Sequence, residues 1–210
     1  MKLFLHSSVS GSNNCYVLGT DPGYGKQVAI IIDPGHTDQK IIDFIEDNNY
    51  TLAGILVTHD HFNHVRGINT LKRLYHPDIY AVNPVIAEQK TVMIRDGDIF
   101  LIPPFRIEAF SVPGHATDSV IYNIENLLFT GDSLSAGLVG KTFSLYGAKI
   151  QINALQSKIF SLPGDYVVLP GHGPPSSLDV ERQLNVGIQL YTQKVKHRSS
   201  FTVDTVDVDL

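Results

Sequence analysis

Hydrophobic and polar residues follow two different periods along the first part of the chain. Short runs rich in β-branched and aromatic residues predict strands over residues 2–6, 14–19, 28–33, 54–58 and 79–82. Apolar residues at helical spacing predict one helix that Thr37 caps and that runs to Asp47, and another over residues 64–75. A short helical piece is expected over residues 85–88.

The second part of the chain repeats this arrangement. Strands are predicted over residues 99–102, 106–111, 119–124, 127–130 and 166–169, with a hairpin turn at residues 125–126. Helices are predicted over residues 150–162 and 178–193. The order of strand-rich and helical segments favours two sheets with helices outside them. Residues 199–210, where Val and Asp alternate, are expected to form either an edge strand or a frayed end.

Composition limits the classes of protein and of partner. The 210 residues, 43% of them hydrophobic, suit one globular domain, which we place at residues 1–198. The net charge is −5 without a lysine or arginine run, so no nucleic-acid partner is expected. No apolar segment has the roughly 18 residues of a membrane span, and no signal peptide is recognised, so no membrane association is expected. Cys15, the single cysteine, is interpreted as a buried structural thiol, which fits a reducing cytoplasm.

Five of the nine histidines lie in three short motifs that can converge on one site. They are His59, His61 and His64 in one segment after a predicted strand, and His115 and His172 in two Pro-Gly-His turns. Asp132 ends another predicted strand, where its carboxylate could bridge two cations. Neutral imidazoles and carboxylates are the usual ligands of zinc, iron and manganese. A single histidine in a turn is usually structural, but the five histidines together with Asp132 predict a metal site.

These motifs resemble the signature segments of the metallo-β-lactamase superfamily. Residues 59–64, with the sequence H-D-H-F-N-H, resemble its H-x-H-x-D-H motif. Three later segments resemble its G-H-T-x-G-S segment, its bridging-aspartate strand and its last histidine turn, and these are residues 113–119, 130–134 and 169–174. The resemblance covers residues 1–198. It implies an α/β fold in which two mixed sheets form an αββα sandwich with helices on the outer faces.

Within that superfamily the chain is most similar to short glyoxalase II-like hydrolases. Gly140-Lys141-Thr142 resembles their G-R-T/S segment, and residues 170–175 have their P-G-H-G-P form. Residues 176–185 resemble their T-T-I-x-x-E-R-x-x-N sequence. Longer glyoxalases carry a further helical domain that binds glutathione. The resemblance therefore implies a small-molecule thioester as substrate more strongly than it implies glutathione.

The resemblance also implies a role for each residue of the site. The first metal is expected to bind His59, His61 and His115, and the second to bind His64 and His172, with Asp132 bridging them. Asp33 is expected to support the ligand loop, Lys141 to bind a substrate carboxylate, and Tyr146 to line the pocket edge. A turn aspartate, a solvated lysine and an ordinary packed tyrosine are the alternatives for these three. Zinc is the metal we expect, bound tightly at one position and weakly at the second, with iron or manganese as alternatives.

Asn63 departs from the pattern, because it stands where the superfamily has aspartate. An amide is neutral, is a weak ligand at best, and cannot accept a proton as a carboxylate does. Asp60 lies between two of the histidines and is expected to point away from them. We therefore predict a weakened second metal position and a proton-transfer role that passes to water, to Asp132 or to no group.

Several functions stay open at this point. The leading hypothesis is a metal-dependent thioester hydrolase, because a thiolate leaves without a strong general acid. A lactonase or a phosphodiesterase on the same scaffold is one alternative, and a mononuclear iron persulfide dioxygenase that uses His59, His115 and Asp132 is another. A metal-binding module without turnover is a third alternative, which Asn63 favours. The natural substrate and the oligomeric state are not predicted.

Overall fold

The computed structural model describes residues 1–7, 13–23 and 25–199, with side chains up to residue 193. The predicted tail beyond residue 199 lies outside these ranges. None of the helices in the described part of the chain has both the length and the apolar character needed to cross a bilayer.

The strands and helices alternate along the chain much as the hydrophobic pattern predicts. The strands are β1 Lys2–Ser7, β2 Asn14–Gly19, β3 Val28–Ile32, β4 Thr51–Leu56, β5 Asp78–Ala81, β6 Val85–Ile86, β7 Gln89–Lys90, β8 Val92–Met93, β9 Ile99–Ile102, β10 Phe105–Ser111, β11 Val120–Ile124, β12 Leu127–Gly131, β13 Leu134–Ser135, β14 Leu138–Val139, β15 Val167–Pro170 and β16 Ser176–Ser177. The helices are α1 Gln39–Asp47, α2 Phe62–Val65, α3 Ile68–Tyr75, α4 Leu145–Ala154, α5 Leu178–Leu184 and α6 Val186–Ser199, and a π-helical turn at Leu155–Ile159 continues α4.

Two mixed six-stranded sheets pack face to face. The first has the strand order β1-β2-β3-β4-β5-β8, and the second has the order β16-β15-β12-β11-β10-β9. Neighbours β3 and β4 are parallel, as are β12 and β15, whereas β10, β11 and β12 are antiparallel. Two short hairpins, β6-β7 and β13-β14, lie outside the main sheets.

Alternating side chains on each sheet create three apolar layers. On β2, Cys15 and Val17 pack with Ile41 of α1 and Ile68 of α3 on the outer face. The side chains between them, such as Tyr16, pack against the second sheet in the core of the sandwich. A third cluster joins the outer face of the second sheet to the helical segment after residue 145 and to α5. These layers confirm the predicted αββα sandwich.

Two helix predictions near the histidine segment are wrong in detail. Asp38, not Thr37, caps α1, because its carboxylate accepts from the backbone N–H groups of Lys40 and Ile41 at 3.1 and 3.4 Å. The predicted helix at residues 64–75 is two helices, α2 and α3, that break at Gly67. The Gly67 N–H donates to Pro34 O at 2.7 Å, and a Cβ at position 67 would lie 2.4 Å from that oxygen. A long-range contact therefore decides the break.

Three further elements differ from the prediction. Residues 85–88 form the first strand and the turn of the β6-β7 hairpin instead of a helical piece, since Ala87 and Glu88 adopt positive φ angles of 49° and 65°. The helix predicted at residues 150–162 begins earlier, at Leu145, where Ser144 Oγ accepts from Gly147 N. The helix predicted at residues 178–193 breaks at Asn185, whose ψ of 105° is extended.

Candidate metal centre

The predicted ligand residues all lie at one edge of the sandwich, where strand ends and loops meet. His59, His61 and His64 follow β4, Asp132 follows β12, His172 follows β15, and His115 lies in the loop between β10 and β11. Strand β12 is parallel to β15 and antiparallel to β11. The carboxyl ends of β12 and β15 therefore lie at the same edge of the sheet as the amino end of β11. A hydrogen bond from Val120 N to Thr58 O, at 2.9 Å, joins the two sheets there.

The side chains form two adjoining groups that share Asp132. One ligand atom from each of His59, His61, His115 and Asp132 lies within 4.8 Å of the others, and the same holds for His64, Asp132 and His172. These are the two ligand sets that the sequence predicts.

Asp132 lies between the two groups. Its Oδ2 is 3.9 Å from His59 Nε2, 3.5 Å from His115 Nε2 and 3.4 Å from His172 Nε2. Its Oδ1 is 3.4 Å from His64 Nε2. Oδ2 thus approaches both groups and Oδ1 approaches the second, so the carboxylate has the position that a bridging ligand needs.

Hydrogen bonds on the outer side of the cluster orient the rings of His59 and His64. His64 Nδ1 lies 2.9 Å from Asp33 Oδ2, so its proton is held on that side and Nε2 faces the cluster. Thr58 Oγ1 donates to the same carboxylate at 2.6 Å and lies 3.0 Å from His59 Nδ1. Asp33 therefore lies where the sequence predicts support for the ligand loop.

The other two histidines of the first group are oriented differently. His115 Nδ1 donates to the backbone carbonyl of Lys141 at 2.9 Å, which leaves Nε2 for the cluster. His61 presents Nδ1 instead, and this atom lies 3.1 Å from His115 Nε2. One Nδ1 and two Nε2 atoms thus converge in the first group.

Burial and mutual charge set the protonation of the cluster. Burial lowers the pKa of His59 to about 3, so this imidazole is neutral. Burial by itself would raise the pKa of Asp132, but the interaction with the charged His64 imidazole lowers it to about 2. Burial would lower the pKa of His64, yet the carboxylates of Asp33 and Asp132 raise it to about 9. A cation bound at His64 Nε2 would therefore displace a proton from that imidazole.

Three buried polar atoms of the cluster fit a metal. His59 Nε2, His64 Nε2 and Asp132 Oδ1 are buried and have no hydrogen-bond partner among the described residues. Buried polar atoms without a partner are rare because each is costly. All three atoms point into the same cluster of imidazoles, so cations bound by the two groups would satisfy all three.

Asn63 lies beside the second group and not in the first. Its Nδ2 is 3.1 Å from His172 Nε2. An amide in this orientation donates a hydrogen bond to the imidazole, and the reverse orientation would place its carbonyl oxygen there. Asp60 is exposed, and its backbone N–H donates to Asp118 Oδ2 at 2.9 Å.

Lys141 and Tyr146 both lie at hollows that open beside the cluster. Lys141 lines a hollow of about 350 Å³ that also contains His115, Asp132 and His172. Tyr146, which is 74% exposed, lines a neighbouring hollow of about 730 Å³ together with His115. Both positions are accessible to a molecule bound at the cluster.

Comparison with known proteins places the chain in a family. The family model of the metallo-beta-lactamase superfamily matches residues 10–172. This range contains all six side chains of the cluster, and His172 is its last residue. The chain belongs to the metallo-beta-lactamase superfamily. Its six convergent imidazole and carboxylate side chains could hold a metal ion, as the residue types alone indicate.

Relatives within the superfamily include hydrolases. A probable polyketide biosynthesis zinc-dependent hydrolase, BaeB from Bacillus velezensis, is 30% identical over 200 residues, or 90% of this chain and 87% of the relative. A hydroxyacylglutathione hydrolase from Chromohalobacter salexigens is 33% identical over 146 residues, or 68% of this chain but 56% of that hydrolase. The crystal structure of ETHE1 from Myxococcus xanthus superposes with a TM-score of 0.78 at 24% identity, covering 88% of this chain and 83% of that one. This last likeness shows the fold alone.

Two buried side-chain amides, those of Asn14 and Gln151, donate hydrogen bonds to the backbone of the ligand loops. The sequence did not predict this role for either residue. Asn14 Nδ2 donates to Pro170 O and Gly173 O on either side of His172, at 3.0 and 2.7 Å. Gln151 Nε2 donates to Ser133 O and Gly140 O, at 3.2 and 3.1 Å. Neither residue belongs to a ligand motif. Asn14 is 156 and 159 residues from its partners, and Gln151 is 18 and 11 residues from its own, with a helix start between, so no local signal identifies either.

Gln151→Leu is expected to weaken the first metal position. The change keeps the volume but removes both hydrogen bonds from Gln151 Nε2, so Gly140 O loses this donor and Ser133 O keeps the N–H of Gly140. Residues that support ligands alter metal affinity by about 10–100-fold, and the two lost hydrogen bonds should lower the melting temperature by roughly 2–4 °C. Isothermal titration of metal-free protein with zinc and a thermal melt measure both effects. Gln156→Leu, at an exposed position after α4, is the control, and equal effects in both variants would contradict the role of Gln151.

Proposed function

We propose that this protein is a metal-dependent hydrolase that acts on thioesters. The observation that carries the proposal is the position of Asp132 between two groups of imidazoles, with three buried ligand atoms that bound cations would satisfy. The sequence relatives that are named as hydrolases support the reaction class.

In the proposed site, one metal would be held by His59, His61, His115 and Asp132. A second would be held by His64, His172 and the same Asp132. A bound metal would supply Lewis-acid polarisation of the substrate carbonyl and would lower the pKa of a coordinated water. Three imidazoles with one carboxylate are a typical zinc environment, so zinc is proposed for the first position.

The residues of the chain favour a substrate with a good leaving group. No carboxylate stands at position 63, and Asp33 is engaged by Thr58 and His64. Asp60 lies outside both ligand groups. Among the described residues, Asp132 is the one carboxylate within the ligand groups, and a bridging carboxylate is not free to protonate a departing group. A thiolate leaves without such protonation more readily than an amine or an alkoxide. A hydroxyacylglutathione, which one relative's name specifies, is such a thioester.

The mononuclear iron alternative uses fewer of the convergent residues. It needs His59, His115 and Asp132, but His64 and His172 also approach Asp132 to 3.4 Å. A site built for a single facial triad does not require these two imidazoles. The hydrolase proposal uses all of them.

Thioester hydrolysis is the direct test of this proposal. Protein freed of metal and reloaded with zinc, iron or manganese in turn is expected to hydrolyse acetyl and lactoyl thioesters of glutathione, with little or no hydrolysis of β-lactams or RNA. Release of the free thiol is measured by absorbance. The chelator-treated protein is the control. If all three metal-loaded forms fail to release thiol, the thioesterase proposal is wrong and the metal-binding module without turnover becomes the leading alternative.

A further inference from the structure

An apolar groove lies beside the proposed site, between α4 and α6. It has a volume of about 590 Å³, and its large apolar lining residues are Val139, Phe143, Leu145, Ile152, Leu190 and Tyr191. Phe143 is 99% exposed, Leu190 50% and Leu145 47%. Large apolar side chains are normally buried, and their clustering at the surface marks a place where an apolar ligand binds.

The apolar groove adjoins the metal-site hollow. Val139, Gly140 and Lys141 line both. The backbone carbonyl of Lys141 accepts a hydrogen bond from His115. Residues 139–141 therefore form a strip of chain that lies directly against the ligand cluster. A substrate whose reacting carbonyl lies over Asp132 could extend an apolar arm across the strip into the groove.

The hollow on the other side of the cluster offers polar groups that the groove does not. Its lining includes the apolar side chains of Phe143, Tyr146 and Ile150, but also Asp60, Asn83, Thr117 and Asp118, which offer carboxylate, amide and hydroxyl groups to a ligand. In small biological thioesters the thiol portion carries amide groups, and the carboxylate and amide side chains of this hollow suit that portion. The apolar groove has no carboxylate or amide among its described lining residues and suits the acyl portion.

We propose that the apolar groove binds the acyl chain of the substrate and makes the protein selective for thioesters of long, unbranched acyl groups. This inference rests on the proposed thioester hydrolysis. Each methylene buried in an apolar groove should raise kcat/KM by up to about fourfold. The selectivity would thus increase steadily with chain length.

A chain-length series tests the inference. The substrates are the acetyl, butyryl, hexanoyl and octanoyl thioesters of N-acetylcysteamine, a neutral thiol, with the zinc-loaded full chain. We expect kcat/KM to rise about twofold to fourfold per methylene. Leu190→Asp should flatten this series and reduce the octanoyl-to-acetyl ratio by about tenfold or more. Leu184→Asp is the matched control, since Leu184 is 62% exposed on α5 outside the groove, and its series should equal that of the unmodified protein.

A binding measurement separates this inference from the proposed function. The thioether S-octyl-N-acetylcysteamine cannot be hydrolysed, and calorimetry with the metal-free protein should show binding that Leu190→Asp weakens and Leu184→Asp does not. If the thioether binds in this way but no thioester is hydrolysed, the groove assignment stands and the proposed reaction fails. If all four thioesters are hydrolysed at equal kcat/KM, or if both variants behave alike, the groove assignment is overturned while the reaction stands.

Discussion

Asp132→Ala is expected to remove metal from both positions and to abolish activity. Asp132 is the one carboxylate shared by the two ligand groups among the described residues, and four imidazole nitrogens lie 3.4–3.9 Å from its oxygens. Its loss leaves neutral imidazoles to hold a dication without a compensating charge. Activity should fall by more than the roughly 10²–10³-fold that loss of a single transition-state contact causes.

Elemental analysis and circular dichroism together check this expectation. Folding should persist, because Asp132 follows the end of a strand and its side chain is not part of an apolar layer. Asp60→Ala is the matched control, since Asp60 is a carboxylate of the histidine loop that lies outside both ligand groups, and it should keep its metal. Full metal content in Asp132→Ala would show that the assignment of Asp132 is wrong.

Asn63→Asp is expected to convert a weak second metal position into a tight one. The Asn63 amide already lies 3.1 Å from His172 Nε2, so a carboxylate there would face the second group without a change of backbone. The added negative charge would act directly on the cation. Supporting residues alone change metal affinity by about 10–100-fold, and a charged ligand should have at least that effect.

Titration of metal-free protein with zinc measures both affinities. The unmodified protein should bind one zinc tightly and a second weakly or not at all at micromolar free metal, and Asn63→Asp should bind two tightly. Asn126→Asp adds the same charge at an exposed hairpin turn away from the cluster and should leave the titration unchanged. Two equally tight zinc ions in the unmodified protein would contradict the weakening attributed to the amide.

The hydrophobic pattern of a segment predicts the bounds of a strand or helix well where burial of its side chains alone determines those bounds. The strand at Asn14–Gly19 has the predicted bounds, because every residue in it is buried and its centre, Cys15–Leu18, is a continuous run of large side chains. The helix breaks at Gly67 and Asn185 escape prediction. They depend on hydrogen bonds with distant residues, such as Gly67 N to Pro34 O and Val186 N to Gly137 O. Hydrophobic periodicity contains no information about such partners.

The sequence by itself determined the superfamily, the αββα fold class and the six side chains that converge. Each of the histidine motifs is short and lies next to a strand or a tight turn, so its ligand residues can be recognised from the sequence alone. The tertiary structure decided which nitrogen each imidazole turns inward, where Asn63 lies relative to the two groups, and which amides hold the loops. Asn14 and Pro170, for example, are 156 residues apart yet share a hydrogen bond. The apolar groove likewise exists only where α4 and α6 pack beside the strip at residues 139–141, because a surface made by distant segments has no continuous pattern in the chain.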